Sequence, residues 1–162
     1  MGLGEARNAL RVIDDSSRSH ALWFLAELGE KPGTWTSFGR TFLQRAWPRE
    51  SKYQTPGVSR QLAFLAGRSG DDFPDVVRTI LPLVVPTDQL DLTVHRVAEP
   101  SEDSLAKRFP ESMLQLLDHL VPDEPRPTPY DLGNVLDLIA EASPSLRGDR
   151  RWRRLRKVAD RG

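Results

Sequence analysis

The sequence predicts an all-α protein: an open or solenoid-like, HEAT-like stack of about seven or eight antiparallel helices. One observation is a repeat, because FPDVVRTILPLVVP at residues 73–86 recurs thirty-six residues later as FPESMLQLLDHLVP at residues 109–122. A period in the mid-thirties is typical of α-helical repeats, in which each unit buries its apolar face against the next. A second observation is that apolar residues recur at spacings of three and four. We therefore expect one α-helical domain over residues 1–162.

Four helices are predicted in the first part of the chain. Asp14 to Ser17 should form a turn and cap the second helix, Thr34 or Thr36 should cap the third, and Pro48 should end it. The ending LQRAWP at residues 43–48 is similar to the ends of both repeat copies and suggests a third, partial copy. Most aromatic residues in this part should be buried in the core. The predicted helices cover residues 3–13, 20–28, 35–47 and 58–66.

The two repeat copies supply the central helices. In the first copy Asp72 is placed to act as N-cap, and Pro74 lies in the first turn, where a missing N–H costs nothing. Pro82 removes a helical hydrogen bond, so a bend or an early end is expected near Thr79. Residues 87–104 favour a short helix or ordered linker over a strand. Further along come a short helix at 101–107, a stiff proline-rich connector at 122–129, a helix at 130–142 and a basic helix at 149–160.

Composition argues against an enzyme. The absence of cysteine excludes disulfides and thiolate metal sites and favours a cytoplasmic location. No apolar run is long enough to span a membrane. His20, His95 and His119 lack the spacing of metal ligands, and no phosphate-binding glycine loop or nucleophile motif is present. The acid pairs stand at helix starts, where capping explains them. We therefore expect no cofactor and no catalysis.

Basic charge is concentrated at the end of the chain. Residues 147–162 hold eight basic and two acidic residues, whereas residues 1–146 hold 15 basic and 21 acidic ones. In the predicted final helix, Trp152, Leu155 and Val158 share one side. The basic residues around this stripe are candidates for contact with phosphates or a partner: Arg147, Arg150, Arg151, Arg153, Arg154, Arg156 and Lys157.

Three interpretations of this helix remain open. It can be a terminal cap, with its apolar stripe on the preceding helix and its arginines facing water or the acidic body. It can bind nucleic-acid phosphates, or it can bind a membrane surface or a calmodulin-like partner. The leading functional hypothesis is a scaffold or partner-recognition module with a protein partner, and the alternative is a nucleic-acid-binding protein. An uncovered face on the first helix would also favour a homodimer.

Several segments together resemble a known class of helical region: FLQRAWPRE, TPGVSRQLAFLAGRSGDDFPDVVRTILPLVVP, RFPESMLQLLDHLVPDE and PYDLGNVLDLIAEASPSLRGDRRWRRL. They are similar to the α-helical C-terminal region of large bacterial multidomain anti-phage defence proteins, of the kind associated with STAND-type NTPases and sirtuin-like NADases. The resemblance covers residues 35–157. It implies a helical scaffold that senses or docks a partner while catalysis lies in another domain, and it implies that the chain is a tail or fragment of a larger protein. No catalytic motif of these enzymes is present, so no functional residue carries over.

Overall fold

The computed structural model describes residues 2–28, 31–88, 90 and 104–162, and every regular element in these ranges is helical. The prediction of an all-α fold is confirmed. Shorter π-helical and 3-10 segments connect the α-helices. The α-helices in the described ranges are α1 (Leu3–Val12), α2 (Asp15–Leu28), α3 (Pro56–Gly67), α4 (Phe73–Ile80), α5 (Leu105–Arg108), α6 (Pro110–Leu120), α7 (Leu132–Ala142) and α8 (Arg150–Asp160).

The chain divides into two compact units, Met1–Val85 and Pro86–Gly162. The division falls between Val85 and Pro86, the last two residues of the first repeat copy. The second copy, at residues 109–122, lies inside the second unit. Whether the two units unfold together is a question of energetics, so the expectation of a single domain over residues 1–162 stays a prediction.

The first unit is built around the pairing of α2 with α3. Leu22 of α2 and Leu62 of α3 are fully buried, and Trp47 lies in the same unit at 0% exposure. Helix α2 begins at Asp15 and not at residue 20, because the Asp14 carboxylate accepts a hydrogen bond from Ser17 N at 2.7 Å and so starts the helix early. The turn expected at residues 14–17 is therefore largely the first helical turn.

The predicted third helix is present, but as two π-helical segments, Trp35–Gly39 and Phe42–Ala46. A Cβ on Gly39 would lie 2.8 Å from the Trp35 ring, so glycine lets this segment wrap closely around the indole. Trp35 is 4% exposed, and its Nε1 donates to the Asp75 carboxylate at 2.7 Å. Thr34 precedes the first segment without a side-chain cap hydrogen bond.

The first repeat copy folds as α4 followed by a 3-10 turn, Leu81–Leu83. The helix ends one residue after Thr79, which agrees with the effect expected of Pro82. Asp72 does not cap it with its side chain; the 3-10 turn Gly70–Asp72 leads into the helix instead. Local backbone geometry thus replaces the expected cap.

The second unit has its core on α6 and α7, where Leu116, Leu117, Leu136 and Ile139 are fully buried. Helix α5 begins at Leu105, and the Ser104 hydroxyl caps it by accepting from Lys107 N at 3.1 Å. Residues 122–129 contain no helix. The predicted helix at 130–142 begins at Leu132. The expectation for residues 91–103 lies outside the described residues.

The two repeat copies share one structural feature: an acid in the first helical turn that pairs with an arginine from elsewhere in its unit. Asp75 in α4 pairs with Arg40 through Nε at 2.7 Å. Its repeat equivalent, Glu111 in α6, pairs with Arg151 at 2.7 Å. The negative charge is also favourable at a helix N-terminus, where the helix dipole is positive. Both copies of the sequence pattern therefore carry an acid that pairs with an arginine of its own unit.

Replacing Asp75 should weaken the first unit. Burial raises the pKa of Asp75, but hydrogen bonds from Trp35, Arg78 and Arg40 outweigh it and hold that pKa below its usual range. Asp75→Ala leaves the buried Trp35 Nε1 without this acceptor, so we expect a loss of about 1–3 kcal/mol in the free energy of unfolding. Urea unfolding followed by tryptophan fluorescence measures the loss.

The matched control is Arg78→Ala, which removes the most exposed partner of the same carboxylate, 71% exposed. Its effect should stay below about 0.5 kcal/mol. Equal losses in the two variants would contradict the assignment of Asp75 as the anchor of Trp35.

Candidate partner surfaces: the basic helix and an apolar groove

Helix α8 is attached to the second unit by its apolar stripe. Leu155 is fully buried and Val158 is 3% exposed, and the helix packs on α6 and α7. Trp152 Nε1 donates to the Leu136 carbonyl oxygen at 3.0 Å. The Asp149 carboxylate caps the helix by accepting from Arg151 N at 2.8 Å. The packing of this apolar stripe fixes which face of α8 is buried and which face is exposed.

Arg154 closes the C-terminal end of α6. Its guanidinium pairs with the Asp118 carboxylate at 3.0 Å and with Asp123 at 3.0 Å. Its Nη2 also donates to the carbonyl oxygens of Asp118 at 3.0 Å and Val121 at 3.1 Å. The last carbonyls of a helix lack partners within the helix, and a cation there is favourable to the helix dipole. Arg154 is therefore a structural residue of this unit.

Arg151 and Arg156 are engaged as well. Arg151 pairs with Glu111 of α6 and with Asp149, its own N-cap, at 2.9 Å. The hydrogen bond from Arg151 lowers the pKa of Asp149 to about 2, and Asp149 in turn raises the pKa of Arg151. Arg156 pairs with Asp137 of α7 at 3.0 Å and with Asp160 at 3.2 Å. Three of the predicted contact residues are thus tied to acids of the same unit.

The remaining predicted contact residues face solvent. Arg147 is exposed in the 3-10 segment Pro144–Gly148 that precedes α8. Arg150, Arg153 and Lys157 are also exposed, and none of the four has an ion pair within the described part of the chain. Arg150, Arg153 and Lys157 follow one another at spacings of three and four, so they share one helix face, opposite Leu155. We call these three residues the basic face.

The first unit carries an apolar groove that the sequence analysis missed. Phe24 is 54% exposed, Leu28 47% and Phe38 49%. Together with Ala21, Phe42 and the buried Leu25, they line a groove of about 300 Å³ between α2 and the π-helical segments. Phe38 and Phe42 stack with ring centroids 5.6 Å apart. We call this the apolar groove.

Aromatic side chains extend this surface along α2. Trp23 is 38% exposed, and its ring meets Phe24 edge-on at 5.3 Å and stacks on His20 at 5.6 Å. The residues at 21, 24, 25 and 28 follow helical spacing, which the sequence analysis took as a sign of core burial. The sequence did show that aromatic residues are concentrated in the first 64 positions.

Two findings bear on other classes of function. Within the described residues, no group of three or more metal-binding side chains comes together. No helix in those ranges is long and apolar enough to cross a bilayer. The His20 ring stacks on Trp23. His119 is exposed, with its Nδ1 3.0 Å from the Gln115 carbonyl oxygen. His95 lies outside the described residues.

Comparison with known proteins gives one long relative. The chain is 34% identical over 162 residues to "Uncharacterized protein y4cA" of Sinorhizobium fredii. The match includes 96% of this chain but 13% of the length of that relative. No family model matches the chain, and no solved structure matches it.

Replacing Asp149, the N-cap of α8, should make the stability of the second unit less dependent on pH in the acid range. The folded pKa of Asp149, about 2, is below its unfolded value of about 3.9, so its stabilisation is complete above about pH 4 and is lost as the pH falls towards 2. Asp149→Ala should cost about 1 kcal/mol at pH 7, as expected for loss of an N-cap. The difference between wild type and variant, measured by urea unfolding, should shrink below pH 4.

Asp137→Ala is the control, since it removes an exposed carboxylate that pairs with the same helix through Arg156. It should change stability by less than about 0.5 kcal/mol at pH 7. A gap between wild type and Asp149→Ala that stays constant from pH 7 to pH 2 would contradict the role of Asp149.

Proposed function

We propose that this protein is a non-catalytic helical scaffold that recognises a partner protein through the apolar groove. The observation that supports this most directly is the exposure of Phe24, Leu28 and Phe38 side by side. Exposed large apolar side chains are common singly, but a contiguous group of them marks interaction sites. Aromatic side chains are also enriched in the central parts of protein interfaces.

The occupant that fits the groove is an amphipathic helix of the partner. Phe24 and Leu28 form one wall at a spacing of four residues, and Phe38 and Phe42 form the other at the same spacing. Helices pack by placing such ridges into the grooves between them. A helix laid into an apolar groove is recognised through anchors at i, i+3 or i+4, and i+7.

Two basic residues, each three positions after a groove residue in the sequence, suggest which charges the rest of the partner helix should carry. Lys31 follows α2 in the chain and Arg45 lies in the second π-helical segment; both are exposed and have no ion pair in the ranges that the structure describes. Acidic residues outside the apolar stripe of the partner would complement them. A second copy of this chain, in a homodimer, is the alternative occupant.

The fold type, the parent protein and the location of the chain are proposed from other observations. A HEAT-like antiparallel stack is supported by the helical repeat and by the equivalent acid attachment points Asp75 and Glu111. Membership of a larger bacterial, defence-type protein rests on the resemblance described above; the match to a much longer rhizobial protein is consistent with a larger polypeptide. A cytoplasmic location is proposed from the absence of cysteine.

A displayed library of random 16-residue peptides tests the groove. We expect the selected peptides to share apolar residues at helical spacing with acidic residues between them. A selected peptide, once synthesised, should bind the Phe24→Ser and Phe38→Ser variants at least 10-fold more weakly, because each aromatic side chain contributes roughly 1.5–3 kcal/mol when buried. Titration calorimetry measures the affinity.

Tyr130→Ser is the matched control, since Tyr130 is 93% exposed in the other unit and should not affect binding. Peptides without helical apolar spacing, or with equal affinity for the Phe24 variant, would contradict the proposal. Light scattering that shows a dimer disrupted by Phe24→Ser would replace the helical partner with a second copy.

A further inference from the structure

We propose a second binding function in the other unit: the basic face, Arg150, Arg153 and Lys157, binds the phosphate backbone of double-stranded nucleic acid. This proposal is independent of the apolar groove, which lies in the first unit. Clustered arginine and lysine side chains supply salt-dependent affinity for phosphates without reading bases.

Among the described residues, the basic face has no acidic partner because nearby acids of this unit form ion pairs with other arginines. The two acids next to and within α8, Asp149 and Asp160, are bound by Arg151 and Arg156. Asp118 and Asp123 are bound by Arg154. These acids are therefore already paired with other arginines, and the side chains of Arg150, Arg153 and Lys157 remain exposed to solvent.

The size of the basic face suits one strand of a duplex. Arg150 and Lys157 are seven residues apart, which is about 10 Å along an α-helix. That length equals about three base-pair steps of 3.4 Å along the axis of a duplex. Because the opposite side of α8 is packed on α6 and α7, only the side that carries the basic face is available for contact with phosphates.

The chemistry of the face favours a duplex over other polyanions. It carries no aromatic ring on which an unpaired base could stack, since the Trp152 indole is turned to the Leu136 carbonyl oxygen of α7. It carries no apolar side chain that could enter a bilayer, which interfacial helices need. Three exposed cations at helical spacing on one face match a regular row of phosphates.

The experiment measures binding of a labelled 30-base-pair duplex to the whole chain as salt rises from low to physiological concentration. We expect log Kobs to fall against log salt with a slope of about −3, as for three phosphates. The variant R150Q/R153Q/K157Q should bind at least 10-fold more weakly at low salt and lose most of this slope.

The control variant K52Q/R78Q/R126Q removes the same number of positive charges from other exposed positions and should bind like wild type. Circular dichroism shows that both variants are folded. Equal weakening in both variants would overturn the proposal, because net charge alone would then explain binding. So would stronger binding to a single strand that depends on Tyr130, equal binding to polyglutamate, or binding to phosphatidylserine vesicles without binding to the duplex.

Discussion

Closure of the C-terminal end of a helix by an arginine side chain is the interaction that recurs in both units. In the first unit Arg18, 7% exposed, donates from α2 to the carbonyl oxygens of Leu10 and Ile13 at the end of α1. In the second, Arg154 donates to the carbonyls of Asp118 and Val121 at the end of α6. In each case the two carbonyls are three residues apart and the guanidinium comes from another helix. A planar, permanently charged fork suits this task, and lysine could not replace it in the same geometry.

The arginines of α8 therefore fall into two groups, those in ion pairs and those exposed without one. Arg151, Arg154 and Arg156 form ion pairs with acids of their own unit, whereas the basic face on the outside of α8 has no such partner among the described residues. The first unit differs, because there it is aromatic side chains such as Phe24 and Phe38 that remain exposed. The two proposed binding surfaces therefore lie in different units and recognise different chemistry, one apolar and one anionic.

The fold class could be predicted because its signals are local: helical spacing, prolines at helix starts and ends, and the repeated stripe. The π-helical form of residues 35–46 could not, since it depends on Gly39 packing against Trp35 and on Asp75, forty residues beyond Trp35. The basic helix was predicted, but the sequence did not show which of its arginines are paired. The pairing of Arg154, for example, depends on Asp118 and Asp123, which lie more than thirty positions before it. The apolar groove was missed because helical spacing marks an apolar face without showing whether another element covers it.

The central claim is that α8 holds two kinds of arginine, one fixed by the fold and one free. Nitrogen relaxation of the arginine Nε–H groups tests this most directly, because it reports the ps–ns motion of each guanidinium. The account predicts order parameters close to those of rigid backbone, about 0.85, for Arg151 and Arg154, and below about 0.6 for Arg150 and Arg153. Similar values for all four side chains would contradict it.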